Sequence, residues 1–463
     1  MGGTLMISVS GMRGLVGTDL TPELVARHAA ALGAWARSAG RPVVVLGRDA
    51  RTSGPMFAAA AAAGLMSVGV EVIDLGLVPT PTAQLAVEYH HAGAGLILTA
   101  SHNPIEWNAL KFVGPDGIFL DADAGAAVRA LAEAGPPRAG WDGIGVVRQD
   151  PGAVARHLDA ILALPVIDVA AIRARRFHVA LDCVRGAGSV AIPPLLERLG
   201  VRMSGIHLDP DGRFPHPPEP VPEHLEDLGR LVRESAADLG LAVDPDVDRL
   251  ALVDETGAAI GEDYTLALAV RAVLSDGPTA GRPDGRTGGG AAATVVVNLS
   301  TSLVVEDAAR DHGARLVRAP VGEANVARAI QEERAVIGGE GNGGVILPAL
   351  HIGRDAPLGV ALILHYLAKV RVSLSQAVAA FPRYVILKGK APRGGDLAPL
   401  YDRLRRRFPD AAPDERDGLR LAWRDRWLHV RPSGTEPVLR LIAEAPTAAD
   451  AEALVAAARE PLT

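Results

Sequence analysis

Three stretches of the chain share one hydrophobic rhythm. Each opens with a β-branched apolar run and breaks at a polar turn rich in Gly or Ser. Apolar residues at helical spacing follow, then a glycine and a second β run. The copies are R-P-V-V-V-L-G-R-D-A-R-T-S-G-P-M-F with G-V-E-V-I-D-L, F-H-V-A-L-D-C-V-R-G-A-G-S-V-A-I with G-V-R-M-S-G-I-H-L, and A-T-V-V-V-N-L-S-T-S-L-V-V with G-A-R-L-V-R-A-P-V. Their first strands begin near Val43, Val179 and Val295, too far apart for a solenoid but suited to tandem α/β domains. Strand–helix–strand units imply parallel strands. After about residue 370 the rhythm changes to P-R-Y-V-I-L, L-R-L-A-W and W-L-H-V-R-P, which predicts a smaller α+β domain. The expected organisation is three tandem related α/β domains over residues 1–150, 151–253 and 254–370, followed by an α+β domain over 371–463.

Length agrees, since 463 residues exceed what one compact core supports. With 48% hydrophobic and 22% charged residues the chain can bury proper cores and lacks the balance of a disordered protein. Its 54 acidic residues outweigh 47 basic ones, and no Lys/Arg run alternates with aromatics, which argues against a nucleic-acid partner. The single cysteine, Cys183, excludes an internal disulfide framework, fits a reducing cytoplasm and reads as a small apolar residue at a strand end. The N-terminus M-G-G-T-L-M-I-S-V-S-G-M-R lacks the basic segment of a signal peptide. The charge-free stretch Thr52 to Val70 is rich in Ala and Gly, which predicts a buried helix and not a membrane span. Residues 275–292 are Gly/Pro-rich and predict a mobile surface loop without chemistry.

Four short segments carry candidate chemistry. T-A-S-H-N-P at 99–104 ends an apolar strand with a serine that could cap a helix, attack a carbonyl or carry a group. In L-A-V-D-P-D-V-D-R-L-A-L-V, Asp244, Asp246 and Asp248 lie between two β runs. Three carboxylates so close repel unless a cation sits among them, and hard oxygen ligands suit Mg²⁺ or Ca²⁺. A calcium loop is a competing reading because Glu255 is twelfth from Asp244, but it requires Gly where Arg249 stands and helices where β runs stand. A solvated acidic turn is the plainer alternative. In V-I-G-G-E-G-N-G-G-V-I, 336–346, glycines let the backbone approach a ligand, while Glu340 and Asn342 suit hydroxyl groups; an incidental glycine-rich turn would look the same. In H-V-R-P-S-G-T-E-P, 429–437, Arg431 can fork onto phosphate while Ser433, Gly434 and Thr435 supply further donors, the alternative being a locally bonded turn. Lys111 is the only lysine before Lys369 in a chain that otherwise writes Arg, which suggests a cation able to give up its proton.

Together T-A-S-H-N-P, D-P-D-V-D-R, G-E-G-N-G-G and R-P-S-G-T-E-P resemble, in order and one per domain, the four signature loops of the α-D-phosphohexomutase family. S-V-S-G-M-R-G and F-P-H-P-P-E-P are similar to further family segments. The resemblance implies mixed sheets around a central active-site cleft and interconversion of hexose 1- and 6-phosphates through a phosphoserine enzyme and a bisphosphate intermediate. It implies that Ser101 is the phosphoserine, that Ser101, Asp244, Asp246 and Asp248 hold one Mg²⁺, and that Glu340 and Asn342 face the sugar. Arg431, Ser433, Gly434 and Thr435 would hold the non-reacting phosphate, Arg13 and Lys111 the reacting one, with Lys111 as general acid/base and His102 and Arg249 in support. A hexose bisphosphate would act as activator, sugar phosphates would be the partners, with neither membrane nor nucleic acid, and the protein would be a monomer or homodimer. Two departures bear on substrate: G-E-G-N-G-G lacks the Ser and His many members carry after the Glu, and Pro320 stands where several carry Lys. The opening segment and sugar loop look closest to members acting on glucosamine phosphate, with glucose and mannose phosphates as alternatives.

Other classes remain. A serine hydrolase lacks a G-x-S-x-G elbow. A phosphatase with an aspartyl nucleophile would use Asp244 and Asp246 but leave the serine loop unexplained. A non-catalytic metal-binding protein would need metal to fold and would turn nothing over.

Overall fold

The computed structural model describes residues 5–8, 11–275, 292–393, 395–433 and 438–460. The three rhythmic units become Val43–Arg48 with Glu71–Leu77, His178–Asp182 with Arg202–Ile206, and Thr294–Asn298 with Arg315–Ala319, each pair parallel as expected. The repetition extends further than the rhythm predicted. In each sheet the first strand of the unit also pairs in parallel with a third strand, and that strand pairs antiparallel with a fourth. The third and fourth strands are Ala94–Leu98 and Trp107–Val113, Leu239–Val243 and Leu250–Val253, and Ile337–Glu340 and Gly344–Ile346. The sheets are therefore mixed. The first adds Met6–Ser8 and Gly11–Leu15 at one edge and Val147–Gln149 at the other. The fourth sheet is antiparallel, ordered Val385–Pro392, Val438–Ala445, Trp427–Pro432, Leu419–Ala422, Ala412–Asp414.

The second and third sheets share one large core, and each keeps a smaller apolar cluster of its own, around Leu228 and Val232 in the second and Val326 and Ile330 in the third. One apolar cluster runs from Leu158 through Leu241, Val297 and Leu364 to Phe381, and includes the helices Glu262–Ser275 and Ala356–Val370. The short helix Leu374–Ala379 packs into that same cluster and not against the fourth sheet. The stretch expected as a buried helix is Gly54–Met66, but it packs only in part, on the helix Pro22–Ser38 and the first sheet, and Met56 remains 45% exposed. Alanines give close packing without an apolar stripe, so the absence of charge overstated its burial. Cys183 is fully buried directly after the strand His178–Asp182, and burial pushes its thiol pKa up. Most of the Gly/Pro-rich stretch lies outside the described residues. Among the described residues no helix is long and apolar enough to cross a membrane.

Candidate active site

The three strand hairpins explain where the signature segments fall. T-A-S-H-N-P, D-P-D-V-D-R and the G-N-G of the third segment all connect the parallel third strand to its antiparallel fourth. They are topologically equivalent turns beyond the carboxyl ends of parallel strands, where ligand crevices of α/β sheets form.

Ser101 sits in the left-handed region at φ 50, which costs a non-glycine residue about 1–3 kcal/mol unless its surroundings impose it. Here they do. Its N–H donates to Thr99 Oγ1 at 2.9 Å, and its carbonyl accepts from Arg51 at 2.6 Å. The Arg51 guanidinium is fully buried and also donates to the carbonyls of Asn103, Pro104 and Trp107 at 2.6, 2.6 and 2.9 Å, with Asp49 as counter-ion at 3.1 Å. Ser101 Oγ then donates to Asp244 Oδ2 at 3.0 Å. His102 Nδ1 is 3.4 Å from the same hydroxyl, and burial, helped by Arg249 and Arg13, holds the imidazole well below its ordinary pKa. Arg13 donates to Asn103 Oδ1 at 2.5 Å, from a strand paired with the one that carries Lys111.

Asp244, Asp246 and Asp248 are fully buried, which rules out a solvated turn. Val247, between the last two, adopts φ 65, and this bend lets the carboxylates converge until one oxygen from each lies within 4.8 Å of the others. Burial, together with repulsion from Asp248 and Asp246, raises the pKa of Asp244 well above the usual range. Asp246 goes the other way: burial opposes ionisation, but Lys111 at 2.7 Å and the Thr80 hydroxyl at 2.7 Å hold it ionised. Asp246 Oδ1 and Asp248 Oδ1 are buried without a hydrogen-bond partner. Buried carboxylate oxygens are rarely left so, and three such groups with two free oxygens fit a hard divalent cation. The calcium-loop reading fails: the flanking elements are strands, and Glu255 accepts from Ser375 N at 3.1 Å and Ser375 Oγ at 2.5 Å instead of joining the triad.

Arg354 joins the second and third loops. Its guanidinium donates to Asp248 Oδ2 at 2.7 Å, Glu323 Oε2 at 3.0 Å and Glu340 Oε2 at 3.1 Å. Glu340 also accepts from Asn298 at 2.9 Å and Gly322 N at 3.1 Å. Burial works against its charge, yet Arg354, Asn298 and Gly322 together hold its pKa below the ordinary value. Asn342 Oδ1 is buried and without a partner. Gly343, at φ 87, requires glycine, since a Cβ would lie 2.4 Å from Leu250 O and part the two loops. Arg249 donates to Glu219 at 3.1 Å, and Glu219 also lies 3.8 Å from His102 Nε2.

Gly434 and Thr435 lie outside the described residues. Arg431 donates through Nε to Asp417 Oδ2 at 2.8 Å, and that oxygen also accepts from Val321 N at 3.1 Å, which ties the fourth loop to the segment beside Glu340. Ser433 is buried.

The network thus joins Ser101, His102, Lys111, the three aspartates, Arg249 and Glu340, with Arg13 beside the serine loop. Sequence reasoning missed Asp49, Arg51, Thr80, Glu219, Glu323 and Arg354. One signal was available: the tetrapeptide G-R-D-A occurs at both 47–50 and 353–356, and both copies border the site.

Equivalent loops that gather a serine, a carboxylate triad and fixed cations define a phosphoryl-transfer class of multidomain α/β protein. The chain matches the domain descriptions of one family along its length: phosphoglucomutase/phosphomannomutase alpha/beta/alpha domain I over residues 5–138, domain II over 155–257, domain III over 262–384 and the C-terminal domain over 402–460. It belongs to the phosphoglucomutase/phosphomannomutase family of phosphohexomutases. It is 37% identical over 441 residues to a phosphoglucomutase/phosphomannomutase of Thermococcus kodakarensis, covering 94% of this chain and 93% of the relative. It is 36% identical over 443 residues to a "probable phosphoglucosamine mutase" of Methanopyrus kandleri, with coverage of 94% and 93%. A solved family member from Burkholderia thailandensis superposes with a TM-score of 0.85 at 26% identity, over 100% of this chain and 98% of that one.

Proposed function

We propose that this phosphohexomutase works through Ser101 as phosphoryl carrier. The observation that supports this best is a serine hydroxyl, 3.0 Å from Asp244, held in a braced left-handed turn beside two unpartnered carboxylate oxygens. Asp244, Asp246 and Asp248, with an oxygen on Ser101, would hold Mg²⁺, which when bound supplies charge neutralisation at the transferring phosphoryl group. Arg13 and Lys111 bind that group. As a sugar hydroxyl attacks phosphorus, the bond to Ser101 Oγ breaks; Lys111, the candidate acid/base, gives its proton to Oγ and regains one from the sugar hydroxyl. The Lys111 ammonium is disfavoured by burial but favoured more strongly by Asp246 and Asp248, so its pKa is raised and it enters as the acid. Asn342 and Glu340 orient sugar hydroxyls, Arg431, Ser433, Gly434 and Thr435 hold the second phosphate, and His102 and Arg249 line the site. The bisphosphate then turns over and returns its other phosphoryl group to Ser101; the same bisphosphate, added free, serves as activator.

The preferred substrate is glucosamine 1-/6-phosphate, a reading supported by relatives named as phosphoglucosamine mutases; glucose and mannose phosphates are the alternatives. Sugar phosphates are the only partners in this reading, the chain acts as monomer or homodimer, and the lone buried thiol fits the cytoplasm. The aspartyl-phosphatase reading has less support, because Asp244 Oδ1 is occupied by the N–H groups of Asp248 and Arg249, both at 3.1 Å, and Oδ2 by Ser101. Intact-mass analysis should show a partial gain of one phosphate that Ser101→Ala abolishes, and kcat/KM across the three sugar 1-phosphates should favour glucosamine. Phosphate mapped to an aspartate would refute the carrier; a preference for glucose or mannose would refute only the substrate.

A further inference from the structure

Outside the aspartate triad, one cluster combines two imidazoles with a carboxylate and keeps a face open to solvent. Asp182 ends the strand His178–Asp182, and His207 directly follows the neighbouring parallel strand Arg202–Ile206. His216 comes from the loop that leads to Pro222. His207 Nδ1 lies 3.1 Å from both oxygens of Asp182, and His216 Nε2 lies 3.1 Å from Oδ2. The Asp182 side chain is 2% exposed, while His207 and His216 keep 19% and 16%.

The protons decide what this cluster needs. His216 Nδ1 is 2.9 Å from the Pro217 carbonyl, which can only accept, so Nδ1 carries a hydrogen. A neutral His216 would then point its Nε2 lone pair at a carboxylate oxygen, which is repulsive. Either a second proton or a cation must stand between them. A backbone carbonyl that fixes the outer nitrogen is also the usual support of a metal-ligating histidine. The buried cluster of His157, His351 and Asp355 makes no such demand: Thr82 Oγ1 meets His157 Nδ1 at 2.8 Å, and each neutral ring can donate Nε2–H to Asp355, at 2.8 and 3.0 Å.

We propose that Asp182, His207 and His216 form a second metal site, for a borderline divalent cation such as Zn²⁺, separate from the carboxylate triad. Imidazole with one carboxylate suits Zn²⁺, Co²⁺ or Ni²⁺ and is poorly matched to Mg²⁺. Ligand atoms in a tetrahedral zinc site stand about 3.3 Å apart, close to the 3.1 Å spacings here. Three protein ligands at a partly exposed position leave a coordination place for water. Binding replaces the Nε2 proton of His216, which is released to solvent.

The site would pin the loop 207–221 against the serine loop. Gly212 is pressed on the backbone of the first domain, where a Cβ would lie 2.1 Å from Ala50 O. Phe214 covers Arg51 with its ring 5.0 Å from Cζ, and Glu219 holds Arg249 at 3.1 Å. The cation therefore secures the segment that covers the serine loop's brace, without touching the transferring phosphoryl group.

Equilibrium dialysis against Zn²⁺ in a large excess of Mg²⁺, with metal counted by mass spectrometry, tests this on the full chain. The expected result is one zinc per chain, retained in Asp246→Ala and weakened by more than about a hundredfold in His216→Gln, since even an outer-shell partner is worth about 10- to 100-fold. Co²⁺ in place of zinc should give the strong visible bands of a four- or five-coordinate imidazole site in wild type and not in His216→Gln. If that variant fails to fold, Asp182→Asn is read in the same way. No zinc retained by wild type, zinc retained undiminished by His216→Gln, or zinc lost instead with Asp246→Ala or His351→Gln would overturn the proposal and leave the cluster a protonated His–Asp pair or the zinc elsewhere.

Discussion

Arg51 offers the sharpest test of how the site is held, because it braces the serine loop without belonging to any signature segment. Its guanidinium makes five hydrogen bonds, one to Asp49 and four to carbonyls of residues 101–107. Lysine keeps the charge opposite Asp49 but has only three donors on one atom, so Arg51→Lys loses at least two charge-assisted bonds. Each is worth about 1.5–3 kcal/mol, and carbonyls near the loop's rim can regain water, which puts the expected loss near the low end, about 3 kcal/mol. The same change frees Ser101 from its left-handed turn, and an angstrom of misplacement at the reacting atom can cost about 10²-fold in rate. Urea denaturation and steady-state kinetics on saturating sugar phosphate measure both. The expected signature is a lowered urea midpoint with kcat down about a hundredfold. A kcat within about threefold of wild type, with stability changed by less than about 0.5 kcal/mol, would show that the loop holds its shape without Arg51.

Lys111→Arg keeps a cation beside Asp246 but cannot give up a proton, so kcat should fall at least about a hundredfold with phosphoserine occupancy unchanged; a loss below about tenfold would transfer the proton to another group, with His102, whose Nδ1 is 3.4 Å from Ser101 Oγ, next in line. Asp246→Ala should abolish turnover while circular dichroism and the melting transition stay close to wild type, because the change relieves the repulsion that raises Asp244 and leaves Lys111 with Asp248 at 3.5 Å; global unfolding would refute this. Stability should be pH-sensitive through the buried carboxylates around Ser302 and Leu303, where the third domain meets the fourth. Asp263, pushed up to about 8 chiefly by burial, accepts from Ser302 N at 2.8 Å, and Glu444 accepts from Leu303 N at 2.8 Å. An acid whose folded pKa exceeds its unfolded value binds more protons when folded, so its contribution is present below about pH 4 and is lost as pH rises towards 8. The urea midpoint should fall across that window, and Asp263→Asn should flatten the slope; an unchanged slope would refute the assignment.

Much of this protein is decided within short stretches of chain. The alternation of β-branched runs, polar turns and helical periodicity lies within about thirty residues, so the three units and the change of pattern after residue 370 were legible without coordinates, as were the segments holding Ser101, the aspartates, Glu340 and Arg431. Close-range chemistry was legible too, since three carboxylates within a five-residue span must repel or share a cation wherever they fold. What the chain order could not supply is which charges neutralise one another. Arg354 meets Asp248 across 106 positions and Lys111 meets Asp246 across 135, and neither pair has a periodicity or composition that marks it. The equivalence of the three signature turns also emerged only when strand pairing put each between a parallel third strand and its antiparallel fourth. The shared core of the second and third domains has the same origin, because apolar periodicity says that a face must be buried but not against what. Local sequence sets the torsions and the exposed faces of each element, whereas the pairing of buried charges depends on distances that exist only once the sheets have packed.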